Sequence, residues 1–75
     1  MMLQSSTILQ LFMGFSSIGS NPEDFKLIAD SIQHVVDDFS DEHLNMMFEQ
    51  FSYLSEHYEG FEYARIALRD EITNR

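Results

Sequence analysis

Apolar positions recur along most of this chain at steps of three and four, the spacing of one helical face. Phe25, Ile28, Ile32, Val35 and Phe39 form one such series, which Ala29 and Val36 widen. The residues before it make a helix start. Asn21 suits a cap, Pro22 suits the first helical position, and Glu23 and Asp24 suit the positive end of the helix dipole. The pattern predicts a helix from Pro22 to Phe39.

A longer series follows. Ser40 reads as a second cap with Asp41 and Glu42 in the first turn. Leu44, Met47, Phe51, Leu54, Tyr58 and Phe61 then alternate steps of three and four, and the same phase continues to Leu68 and Ile72 with only Arg65 breaking it. Such a 3.5-residue repeat belongs to bundle or coiled-coil packing. Gly60 lies inside this run and costs about 1 kcal/mol in a helix interior. Because the phase survives across it, one long helix over 41–73, bent or split at Glu59–Gly60, is the expectation. Unbroken, it would be ~50 Å long at ~1.5 Å per residue.

The N-terminal segment carries Leu3, Ile8, Leu9, Leu11, Phe12, Met13, Phe15 and Ile18, with Ser5 or Ser6 available as a cap. Ile8, Leu11, Phe15 and Ile18 make one stripe, and Leu9, Phe12 and Met13 add apolar surface on other sides. A short helix that is apolar nearly all round must be buried on several sides. Gly19, Ser20, Asn21 and Pro22 punctuate the chain after it.

These elements predict an all-α fold, a small bundle of three helices in a single domain spanning 1–75. At this size a chain buries only about 60% of the surface it exposes when unfolded. It contains no cysteine, which removes disulfides and thiolate zinc sites as staples. Two shorter helices cannot cover a ~50 Å helix and also bury an apolar first helix. Completion by homodimerisation is therefore expected, a two-fold pairing being the commonest solution.

Thirteen acidic residues against four basic ones give a formal charge of −9, and the imbalance bears on partners. Phosphate contacts need clustered Lys and Arg, so no direct nucleic-acid binding is expected, and no membrane surface for the same reason. The apolar stretch 9–15 has no basic residue before it and is too short to span a bilayer. The expected location is cytoplasmic.

Two acid series recur every seven residues: Glu23, Asp30 and Asp37, then Glu42, Glu49 and Glu56. Carboxylates set out in this way suggest a nucleic-acid mimic that inhibits a DNA- or RNA-binding protein. Yet with Phe25 and Leu44 at core position a, both series fall at position f, furthest from the core. A solvated outer face predicts the same spacing. His34, His43 and His57 offer no metal motif, and His43 and His57 stand ~21 Å apart on one helix. Enzyme signatures such as a phosphate loop or G-x-S-x-G are absent. No cofactor and no catalysis are expected. Arg65 and Arg69 are expected to pair with Glu62, Asp70 and Glu71 on the surface.

Met46 and Tyr53 fall at position c of the long series, off the a/d seam and flanked by Gln50 and His57. Apolar residues that a bundle does not need point to a contact surface. Leu27 occupies the equivalent position of its helix. The expected function is a non-catalytic protein-binding regulator or adaptor, a small acidic helical dimer. Its contact residues would be Met46, Glu49, Tyr53, Glu56 and His57, and its partner another protein with a basic surface.

Overall fold

A computed structural model describes residues 4–19 and 21–75, so Leu3 and Ser20 lie outside the described residues. Within them the chain forms four α-helices and no strand: α1 Ser5–Ile18, α2 Pro22–Val35, α3 Asp41–His57 and α4 Glu62–Thr73. The all-helical class is as expected. The three-helix count is not, because the long C-terminal helix is divided into α3 and α4.

The break follows from the backbone at Tyr58 to Phe61. The Tyr58 N–H still donates to the Leu54 carbonyl at 2.8 Å, but Tyr58 itself is extended, with φ −140° and ψ 150°. Gly60 then takes φ 95°, a conformation that side chains disfavour. Its N–H donates to the Glu62 carboxylate at 3.3 Å, and the Arg65 N–H to the Phe61 carbonyl at 3.1 Å opens α4. Phe61 is buried on the far side of the turn, and Ala64 and Leu68 continue its stripe. The apolar phase survived the break because Phe61 serves as the first core residue of a new helix. Tyr58, in the same series, leaves the core and is exposed.

Other boundaries follow local chemistry. Ser40 caps α3, its hydroxyl accepting from the His43 N–H at 3.3 Å. Asn21 occupies the cap position of α2 without a side-chain bond, its carbonyl accepting from the Asp24 N–H. α1 begins at Ser5 after Gln4, so neither Ser5 nor Ser6 acts as a cap. It ends at Gly19, whose left-handed φ of 66° lets its N–H reach the Phe15 carbonyl. α2 stops at Val35, four residues short of the expected Phe39. A single 3-10 turn, Val36–Asp38, carries the chain on, and Phe39 still reaches the core.

The core is one apolar cluster to which all four helices contribute. Four phenylalanines organise its middle. Phe12 of α1 meets Phe25 of α2 edge-on at 5.8 Å and Phe51 of α3 at 6.2 Å. Phe51 also meets Phe25 at 6.1 Å and Phe61 at 6.0 Å. Edge-on and tilted pairs at these distances add to the burial of each ring. Ile8, Ile28, Ile32, Leu44, Met47 and Leu68 fill the space around them. The Lys26 ammonium lies 5.6 Å from the centre of the Phe61 ring, within cation–π range.

Two expectations about α1 change with this packing. Its buried face is Ile8 and Phe12, with Leu9, Leu11 and Phe15 half-buried against the core, while Ile18 is 78% exposed. The molecule measures 30 × 24 × 23 Å, so no ~50 Å helix awaits a cover. The part of the argument for dimerisation that rested on a long uncovered helix therefore falls away, while Met13 and Ile18 of α1 stay exposed. No helix among the described residues is long and apolar enough to cross a membrane.

Candidate docking groove between α1 and α3

The helices pair most extensively as α3 with α4, α1 with α2, and α2 with α4. α1 and α3 meet instead through large side chains, Phe12 against Phe51. Two helices that meet through a pair of tilted rings leave a trough on their outer side. Here it has a volume of about 650 Å³.

Each wall is one helical face. α1 supplies Phe12, Met13, Ser16 and Ser17, and α3 supplies Met46, Glu49, Gln50 and Tyr53. Phe12 is buried and anchors the trough to the core. Met46 is half-buried against the same core, whereas Met13 is 44% and Tyr53 55% exposed. The apolar surface is thus backed by fixed packing yet open to solvent. Methionine adapts its shape to a varied contact, and tyrosine offers apolar area with a polar tip.

Of the five contact residues expected from the sequence, Met46, Glu49 and Tyr53 converge on this groove. His57 lies beside them, its ring 4.5 Å from that of Tyr53. Glu56 does not join them. It lines a separate recess with Ser52, Ser55, Glu62 and Arg65. The α1 wall was missed, although Met13 stands off the main stripe of its helix. Leu27 is 68% exposed on α2 and is not part of this groove.

The groove's charge is one-signed. Glu49 is the charged residue among its lining, and no cation lines it. Glu42 and Glu56 lie seven residues either side of Glu49 on α3, and all three are exposed. α1 carries no charge at all. The cations lie elsewhere. Lys26 lies over Phe61, Arg65 lines the other recess, Arg69 is exposed on α4, and Arg75 pairs with Asp41 at 2.9 Å and Glu71 at 3.0 Å. Among the described residues these Arg75 contacts are the ion pairs, so the expected pairing of Arg65 and Arg69 with Glu62, Asp70 and Glu71 does not occur. Hydrogen bonds to the Asp41 and Glu71 carboxylates, and the charges of both, push the Arg75 guanidinium pKa up.

Strongly shifted titration can mark acid–base chemistry. In this chain it falls outside the groove, at Tyr63, whose phenol is pushed up to about 12 by burial and then by its hydrogen bond to Asp30 and that residue's charge. A phenol held neutral by a structural partner is a tether between helices. Among the described residues, no three His, Asp or Glu side chains are grouped to hold a metal ion. Comparison of the chain with family models, curated proteins and solved structures finds no match.

Proposed function

We propose that this chain is a non-catalytic protein-binding module, a small acidic helical adaptor or regulator that docks another protein between α1 and α3. The observation that carries this reading is the open groove of about 650 Å³ walled by Met13, Met46 and Tyr53 on a fixed aromatic core. Large apolar side chains kept open to solvent on a rigid base are the usual makings of a contact surface. A second copy of the chain is the competing occupant. It would bring its own acidic rim against the first, and like charges across an interface are unfavourable.

Mimicry of a nucleic acid is the second reading, favoured by the exposure of Glu42, Glu49 and Glu56 in file along α3. Their spacing ranks it lower. Residues seven apart on a helix stand about 10.5 Å apart, against about 3.4 Å per charge along one DNA strand.

The salt response of the partner complex separates the two. Apolar docking persists as ionic strength rises and weakens when Met46 and Tyr53 become alanine. Mimicry collapses with salt and weakens when Glu42, Glu49 and Glu56 become glutamine. A complex insensitive to Met46→Ala and Tyr53→Ala overturns the docking proposal.

A further inference from the structure

The walls and charge of the groove also say what kind of segment fits it. We infer that its occupant is an amphipathic helix of another protein, with apolar side chains on one face and basic residues flanking them. This inference rests on the docking function proposed above and deepens it.

Shape comes first. On α3 the lining runs from Met46 to Tyr53, a rise of seven steps or about two turns and ~10.5 Å. The opposite wall is the facing stretch of α1, with small Ser16 and Ser17 beside Met13. A trough between two helices, two turns long and apolar in its base, matches a helix that presents anchors at i, i+3 or i+4, and i+7. Two exposed methionine and tyrosine walls can adjust to such anchors.

Charge selects among helices. Residues 1–58 hold nine acids and one base, a net −8, while residues 59–75 net only −1. The one base of the first part, Lys26, is held over Phe61 on another helix pair. The groove itself carries Glu49 in its α3 wall and no cation, with Glu42 exposed seven residues before it on the same helix. An acidic helix, or α3 of a second copy, would meet this rim with like charge. Lysine or arginine beside the apolar anchors would meet it with opposite charge, which raises the association rate and excludes the wrong partners.

The test uses the full chain with methyl-labelled methionines and three synthetic peptides of about 18 residues, long enough for a short helix. The first carries leucines at helical spacing with lysine flanks. The second replaces the lysines by glutamate, and the third replaces the leucines by serine. The expected result is that the first peptide shifts the Met13 and Met46 methyl signals and binds roughly tenfold or more tightly than either of the others. Glu49→Lys, a change at an exposed position, should narrow or invert the preference for lysine flanks. Equal binding of the leucine peptides with either charge would overturn the basic partner while leaving the groove as a docking site. Equal binding of the serine peptide would overturn the inference by reducing it to charge alone. If no peptide moves these methyls, but a native complex remains sensitive to Tyr53→Ala, the amphipathic helix is overturned and the docking function stands. Sedimentation of the peptide-free chain as a dimer that Tyr53→Ala dissociates would identify the second copy as occupant and also overturn it.

Discussion

Tyr63 donates its phenolic O–H to Oδ1 of Asp30 at 2.7 Å, tying α4 to α2 across 33 positions of sequence. Burial, this hydrogen bond and the charge of Asp30 raise the phenol from 10.0 to about 12. A folded-state pKa raised above its unfolded value stabilises the fold fully below the unfolded value. That contribution is lost as pH rises through the folded value. The bond should therefore support the fold up to about pH 10 and cease to do so through about pH 12. Tyr63→Phe should cost roughly 0.5–1.5 kcal/mol at neutral pH. It should also flatten the loss of stability across that alkaline window, as followed by denaturant unfolding at a series of pH values.

Gly14 and Gly60 should respond oppositely to alanine. A Cβ at Gly14, in the middle of α1, would meet nothing within 4 Å. Alanine there should stabilise by about 0.5–1 kcal/mol, because it removes backbone entropy from the unfolded chain. Gly60 has φ 95°, and its Cβ would stand 3.2 Å from Cε and Nζ of Lys26. The lysine end can swing aside, so backbone strain dominates. Gly60→Ala should cost about 1–3 kcal/mol. Thermal melts of the two variants against the parent chain give both signs in one experiment.

These glycines also mark how far the sequence could be read. Helical class, the Pro22 start, the Ser40 cap and the inward face of α2 and α3 followed from spacing and capping chemistry alone. The choice between a bend and a break at Gly60 did not, because an apolar period records which face is buried and not whether the chain reverses. Phe61 fits the seam of one long helix and the first core position of a new one equally well. Within the candidate site, Met46, Glu49 and Tyr53 were legible because they share one helical face. Met13, Ser16 and Ser17 were not, because the approach of α1 to α3 depends on Phe12 meeting Phe51, a tertiary pairing of rings. Glu56 kept its predicted exposure but faces a different recess, since a position f label fixes distance from the core and not which neighbour lies alongside.

Three rings converge on Phe51, with Phe12, Phe25 and Phe61 all within 6.2 Å of its centre. Phe51→Ala should cost about 3–5 kcal/mol. For a small domain with about 0.05–0.15 kcal/mol of stability per residue, that is much of the total. The fully buried ring holds α1 off α3, so its loss should also let the groove collapse. Far-ultraviolet circular dichroism under denaturant should show a large fall in midpoint. In the fraction that stays folded, the Met13 and Met46 methyl signals should move.

The central claim is that the groove between α1 and α3 docks another protein, and site-specific photocrosslinking tests it most directly. A photoreactive side chain is placed at Tyr53 in the groove or, as a control, at exposed Asp70 on α4, and the chain is irradiated in the cells that make it. The account predicts a discrete adduct with a different protein from position 53, lost when Met46 is also changed to alanine, and none from position 70. Equal adducts from both positions, or an adduct from position 53 at twice the 8.8 kDa chain mass, would contradict it.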